Sequence, residues 1–161
     1  MVIKMKKYTI YRLEKFKFHY YDEKDDENVE DRFVLGYFCP YEELVKAIEV
    51  CKKYDIKEDE LAVHEFPLEL YKNQKYIYEL SYGYSILDSN SRYIDYDYVF
   101  TPQRNRKCCL ELKADLQQDR KYQCSKEKIF DKETPDGFWI EKLQINKLYN
   151  VITVDNQEKS L

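Results

Sequence analysis

A short apolar segment that ends in proline and leads into a helical pattern occurs twice in this chain of 161 residues. The first copy is YFCP, beginning at Tyr37, and the second is VFTP, beginning at Val99. Proline is favoured at the first position of a helix because its missing N–H has no intrahelical partner there. We therefore predict helices over about residues 41–54 and 103–119, with Thr101 as the N-cap of the second.

Both predicted helices carry an apolar stripe of helical period. In the first helix the stripe consists of Leu44, Val45, Ile48 and Cys51. In the second helix it consists of Cys109, Leu112 and Leu116. Each stripe predicts that its helix packs one face against a sheet.

Apolar segments on both sides of each helix predict strands, so that each half of the chain has the order strand, strand, helix, strand. This order indicates an internal duplication. We predict an α+β fold, an antiparallel sheet with two helices on one face, with a ferredoxin-like pseudo-dimer as one arrangement. The units are residues 1–70 and 76–154, with a hinge at 71–75 and a polar tail at 155–161. Pro67 predicts that the far end of the strand at residues 61–70 lies at a sheet edge or outside the ladder.

The strand predicted to begin at Tyr76 and end at Ile86 carries only one charged residue, Glu79. An outermost strand with so little charge pairs readily with other strands. We therefore predict that it is covered, either by a continuous sheet across both halves or by a homodimer through this edge.

Three segments resemble a family of short bacterial and phage domains of unknown function. They are LGYF from Leu35, EELVKAIEVCKK from Glu42 and TPDGFWIEKLQIN from Thr134. In that family a strand ending near an Ile/Leu-Gly pair leads into a helix, and a Gly-Phe-x-Ile segment closes the unit. Here the first feature occurs only in the first half and the second only in the second half. The resemblance implies the fold and the repeat, and no activity.

The sequence lacks the motifs of most nucleotide and metal sites. The three glycines, Gly36, Gly83 and Gly137, form neither a P-loop nor a GxGxxG turn. His19 and His64 are the only histidines, and the five cysteines show no CxxC spacing. We therefore predict no metal and no cofactor.

The net charge of −4 argues against bulk electrostatic binding of nucleic acid. No apolar segment approaches the length of a membrane span, so we expect no contact with a membrane. We expect reduced thiols and a cytoplasmic location. Cys51 and Cys109 lie on apolar stripes and should be buried and inert, whereas Cys124 should be exposed.

Seventeen tyrosines are more than one small core accommodates, because buried phenols need hydrogen-bond partners. We expect Tyr82, Tyr84, Tyr96 and Tyr98 to form an exposed sheet surface that contacts a protein or stacks on nucleic-acid bases. An equally good explanation is that the tyrosines simply cover a sheet face.

Two charged segments are further binding candidates. Arg104, Arg106 and Lys107 lie in the first turns of the second predicted helix, where they would bind a phosphate or an acidic protein surface. The acidic run at residues 22–31, which includes Asp25 and Asp26, would dock on a basic partner. Alternatively, the two segments pair with each other, or the acidic run is a solvated loop.

The lack of catalytic motifs and the surplus of tyrosines favour a small non-enzymatic protein whose partner is another protein. A phage- or mobile-element-encoded inhibitor of a host defence protein is one such function. One alternative is a hydrolase or nuclease with a carboxylate-based site. Another is an anion- or nucleotide-binding module that uses the start of the second helix.

Overall fold

The computed structural model describes the backbone of residues 4–22 and 27–151, and the side chains of these residues outside 17–31. The chain divides into two units. The first unit consists of Met1–Lys75 and Gln144–Leu161, and the second consists of Tyr76–Leu143. This division differs from the predicted one, in which the second unit continues to residue 154.

The first unit contains β1 (Met5–Asp22), β2 (Glu27–Phe38), α1 (Tyr41–Lys53) and β3 (Leu61–Tyr71). β1 is the central strand and pairs antiparallel with both β2 and β3. The two outer strands are therefore parallel to each other, and α1 connects them as the crossover of a split β-α-β unit. Pro67 lies in β3, at the sheet edge where it was predicted.

The second unit contains β4 (Tyr76–Leu87), β5 (Tyr93–Val99), α2 (Arg106–Leu116) and β6 (Phe138–Gln144). Its strand order is β5-β4-β6, so the first strand is again central and the helix again connects the outer two. The prediction of an α+β fold with antiparallel sheet is confirmed. The internal duplication and the pseudo-dimer stay predictions, although the two units share their element order and strand order.

The predicted continuous sheet is wrong for the described residues, which form two separate three-stranded sheets. β4, the strand that was predicted to be covered by a continuous sheet or a homodimer, has β5 on one side and β6 on the other within its own unit. A short turn brings β5 back along β4, and the amide of Gly83 in β4 donates to the carbonyl of Gly137 at 2.9 Å. Because β4 is internal, it offers no edge for a homodimer; a homodimer through another strand stays a prediction.

α1 packs on its sheet through the stripe of Leu44, Ala47, Ile48 and Cys51, which meets Leu13, Leu35 and Phe38. The predicted stripe is confirmed except at one position. Val45 is 42% exposed, and Ala47 takes its place in the core. A stripe at positions i, i+3, i+4 and i+7 lies on one side of a helix, and Val45 falls just outside it.

α2 packs through the predicted stripe of Cys109, Leu112 and Leu116. Cys109 is fully buried and contributes to a cluster with Leu80 and Phe138 of the sheet. In the described part of the chain, no helix has the length and apolar character that crossing a bilayer requires.

The segment after β6 belongs to the first unit because it binds the edge of β2. The amide of Asn146 donates to the carbonyl of Tyr37 at 2.8 Å, and the amide of Tyr149 donates to the carbonyl of Leu35 at 2.6 Å. The Asn146 side chain also pairs with the backbone of Cys39: it accepts from the N–H and donates to the C=O, each at 2.9 Å. The side-chain amide thus continues the ladder beyond the end of the strand.

Local conformation explains the residue types in this returning segment. Asn146 and Asn150 have φ angles of 67° and 57°, in the left-handed region that asparagine tolerates better than most residues. On the facing strand, a Cβ atom at Gly36 would clash with the carbonyl oxygen of Lys147. Glycine at position 36 therefore allows the segment to approach β2 closely.

We expect Asn146→Ala to lower the free energy of unfolding by about 1–2 kcal/mol, because two hydrogen bonds to Cys39 and a residue suited to positive φ are lost. Urea unfolding followed by circular dichroism measures the change. Asn146→Gly is the matched control, since it permits the same φ without the amide. An Asn146→Gly variant as stable as the unmodified chain would show that the side-chain pairing contributes nothing.

Candidate functional site

The sheet of the second unit presents different side chains on its two faces, because successive residues of a strand point to opposite sides. In the register of β4 with β5, tyrosines stand opposite tyrosines. The four that share one face are Tyr82, Tyr84, Tyr96 and Tyr98. We call this face the tyrosine face.

The tyrosine face is largely covered. Tyr82 is fully buried, with ring centroids 4.7 Å from Phe138 and 5.3 Å from Tyr122. The prediction that Tyr82 forms part of an exposed surface is therefore wrong. α2 and the connection after it cover this side of the sheet with their own apolar and aromatic residues, which include Cys109 and Phe130.

Exposure increases along the tyrosine face away from Tyr82. Tyr84 and Tyr98 are half-buried and pack against the same cluster. Tyr96 is 36% exposed and stacks on Tyr84 with a centroid distance of 5.2 Å. Of the four predicted surface tyrosines, Tyr96 is thus the one that offers substantial area to a partner.

Lys128 lies in the connection after α2 and packs over the tyrosine face. Its ammonium donates to the hydroxyl of Tyr82 at 3.0 Å, to the carbonyl of Gln123 at 3.0 Å and to the carbonyl of Lys121, and lies 4.8 Å from the ring centroid of Tyr84. Burial raises the pKa of Tyr82 to about 12, so the phenol stays protonated at neutral pH. Lys128 therefore stabilises the core through its hydrogen bonds and its contact with the Tyr84 ring.

The start of the second helix, where an anion site was predicted, differs from the prediction in its first residue and in its N-cap. α2 begins at Arg106, so Arg104 lies outside the helix and only Arg106 and Lys107 belong to its first turn. Asn105, and not Thr101, is the N-cap: its side-chain oxygen accepts the amide of Cys108 at 2.8 Å. A capping side chain already satisfies one of the N–H groups that an anion would bind.

Asp25 and Asp26 lie outside the described residues, so their predicted role stays a prediction. The cysteine expectations are confirmed: Cys51 and Cys109 are buried, and Cys124 is exposed. Burial raises the pKa of the Cys109 thiol to about 11, as expected of an inert buried cysteine.

The face of the sheet opposite the tyrosine face carries a groove that the sequence analysis missed. Gly83 forms its floor, because a Cβ at this position would meet the Asp97 carboxylate on one side and the Trp139 ring, 3.0 Å away, on the other. Asp95 and Asp131, together with Ser85 and Thr134, add polar groups to the lining of this cavity, which has a volume of about 340 Å³. We call this the acidic groove, and define it by Gly83, Asp95, Asp97, Asp131 and Trp139.

The acidic groove concentrates negative charge. No lysine or arginine is among the residues that line it. Asp95 accepts a hydrogen bond from the hydroxyl of Ser85, its cross-strand neighbour. Burial, together with the nearby charge of Asp95, raises the pKa of Asp97. A cation that entered the groove would relieve this repulsion.

The first unit holds a charged cluster of a different kind. Arg12 and Glu14 are each only 8% exposed, and the Arg12 Nε lies 3.0 Å from the Glu14 carboxylate. The Nε2 of His64 lies 3.1 Å from the same carboxylate, and the Arg12 guanidinium lies 4.6 Å from the Phe66 ring centroid. Each buried charge thus has a partner, which is the condition for tolerating it inside a fold.

A cavity of about 460 Å³ in the first unit is lined by Tyr8, Cys39, Leu70, Lys72 and other residues. Burial raises the pKa of Cys39, which disfavours the thiolate that a nucleophile needs. Within the described ranges, no three His, Cys, Asp or Glu side chains are grouped as a metal ion requires.

One sequence signal did point to the acidic groove. The segment YIDYDYV, from Tyr93, places aspartates at every second position between tyrosines, which predicts an acidic face opposite an aromatic one. The sequence does not predict the contribution of Trp139. This residue is far from Gly83 in the sequence and reaches it only because β6 lies beside β4.

Comparison of the chain with known protein families, with curated proteins and with solved structures gives no significant match. The resemblance to short bacterial and phage domains therefore stays a prediction.

We expect Asp97→Asn to stabilise the fold at neutral pH. A carboxyl group whose pKa is raised in the folded state contributes stability below its unfolded pKa of about 3.9, and this contribution is lost as the pH rises through the folded pKa. The variant removes the disfavoured charge, so its free energy of unfolding should exceed that of the unmodified chain at pH 7. This difference should shrink towards pH 3, where Asp97 is protonated in both states.

Urea midpoints at both pH values measure this difference. Glu111→Gln removes an exposed carboxylate from the middle of α2 and serves as the control. An Asp97→Asn variant that is less stable than the unmodified chain at pH 7 contradicts the expectation.

Proposed function

We propose that this chain is a non-enzymatic binding protein that recognises a basic segment of another protein through the acidic groove. The observation that carries the proposal is the convergence of Asp95, Asp97 and Asp131 beside Trp139 in one cavity without a lysine or arginine in its lining. The proposal keeps a protein partner, as the sequence predicts, and moves the contact from the tyrosine face to the opposite face of the same sheet.

The lining of the acidic groove suits a guanidinium or ammonium group. Carboxylates bind such groups through charge-assisted hydrogen bonds, and an indole attracts them through its electron-rich face. The volume of about 340 Å³ is at the lower end of the range for small-molecule sites, about 300–1,000 Å³, and is sufficient for one long basic side chain. A bound cation would lower the pKa of Asp97, which desolvation and Asp95 raise in the free protein.

A role as a phage- or mobile-element-encoded inhibitor of a host defence protein is one form that this binding would take. A cytoplasmic location is part of the proposal, because the five cysteines are free thiols, as in a reducing compartment.

A hydrolase or nuclease with a carboxylate-based site stays the alternative, although the three aspartates of the acidic groove are not grouped as a metal ion requires. Such enzymes use carboxylates to hold a divalent cation that activates water. Cleavage of a generic ester or oligonucleotide substrate that requires Mg²⁺ or Mn²⁺ and is lost in Asp97→Asn would favour this candidate over the binding function.

Trp139 is the single tryptophan of the chain, so its fluorescence reports directly on the acidic groove. We expect N-acetyl-arginine amide to change this fluorescence saturably, and N-acetyl-citrulline amide, its neutral analogue, to have no effect. Asp97→Asn should weaken binding about tenfold or more, because a hydrogen bond to a charged group contributes about 1.5–3 kcal/mol. Glu111→Gln should bind normally.

The salt and pH dependence provide a second measurement. Binding should weaken as ionic strength increases and should strengthen as the pH rises through the pKa of Asp97, because only the carboxylate attracts the cation. Equal binding of the arginine and citrulline compounds, or unchanged binding in Asp97→Asn, would overturn the proposed function.

A further inference from the structure

β5 is an edge strand with an unusually exposed surface. It pairs with β4 on one side, and no strand of the described residues pairs with it on the other. Six of its seven residues are exposed, and Tyr98 is half-buried. An edge strand presents unpaired backbone N–H and C=O groups that a further strand can use.

The open edge of β5 borders the acidic groove. Asp95 and Asp97 project to the groove side, and Tyr96 between them projects to the tyrosine face. Residues two apart on a strand are separated by about 6.6–6.8 Å. A strand added to this edge would have the same spacing, so that every second side chain would stand beside an aspartate.

We propose that the basic partner segment binds in extended form, as an additional strand on the open edge of β5. Its basic residues, at positions i and i+2, lie beside Asp95 and Asp97, and the residue between them lies beside Tyr96. This inference rests on the proposed function and specifies the partner: a segment in which Lys or Arg alternates with apolar or β-branched residues. The added strand supplies backbone hydrogen bonds, and the alternating charges fix its register.

Charge favours this occupant over a second copy of the chain. Pairing of β5 with β5 would bring the Asp95 and Asp97 carboxylates of two copies together, and like charges on neighbouring strands are destabilising. A basic strand forms opposite-charge pairs at the same positions.

The test compares two nine-residue peptides of identical composition and charge. In the alternating peptide arginine occupies every second position between valines and threonines, and in the block peptide the arginines are contiguous. We expect the alternating peptide to bind at least tenfold more tightly, measured by Trp139 fluorescence. It should also slow hydrogen exchange at the β5 amides that do not pair with β4.

Backbone N-methylation of the alternating peptide identifies the hydrogen-bonding edge. On one edge of a strand only every second residue directs its N–H towards the neighbour. Methylation of those residues whose N–H points towards β5 should therefore abolish the tighter binding of the alternating peptide. Methylation of the residues between them, whose N–H points away from β5, should preserve it. Asp97→Asn should weaken binding of the alternating peptide at least tenfold, and Glu111→Gln should leave its affinity unchanged.

The possible results separate strand addition from the proposed function. If N-acetyl-arginine amide binds in an Asp97-dependent way but the alternating and block peptides bind equally, strand addition is overturned and the proposed function stands. If neither that compound nor the alternating peptide binds, both are overturned. If light scattering shows a dimer whose β5 amides are protected without peptide, a second copy occupies the edge and strand addition is overturned.

Discussion

The register between β4 and β5 determines what each face of the second unit can do. It places tyrosines opposite tyrosines on one face and Gly83 opposite Asp97 on the other, and a slip of one residue would exchange the two sets. The turn between the strands secures this register. The Asp88 carboxylate accepts the amides of Asn90 and Arg92, each at 2.8 Å, and the Asp88 amide donates to the Arg92 carbonyl.

The two faces of this sheet have opposite energetic roles. The tyrosine face supplies stability, through the buried ring of Tyr82 and the ammonium of Lys128 that closes it. The acidic groove places the Asp97 carboxylate near Asp95, and desolvation together with the charge of Asp95 raises the pKa of Asp97, so the charged form is disfavoured there. Groups whose charged form is disfavoured are common at functional sites, where function and stability make conflicting demands. Gly83 lies in the same strand as the buried Tyr82, and its missing side chain leaves room for the acidic groove on the opposite face.

The two sheets differ in whether an outer strand is covered by another segment of the chain. In the first unit, the chain returns after β6 and covers β2 through the backbone and side chain of Asn146. In the second unit, β5 keeps an edge that no described strand covers, with aspartates as its charged residues. Charged residues on an edge strand discourage pairing with a like strand while leaving pairing with an oppositely charged one available.

The sequence by itself determined the local elements. Helical period placed Leu44 and Cys51 in α1 and Cys109 in α2 on packed faces, and two-residue alternation put the tyrosines of β4 and β5 together. Only the tertiary structure decided which face is covered, which strand is central and how distant segments meet. Periodicity fixes the relation between neighbours in one element, whereas burial of Tyr82 and the approach of Trp139 to Gly83 depend on contacts between elements far apart in the chain.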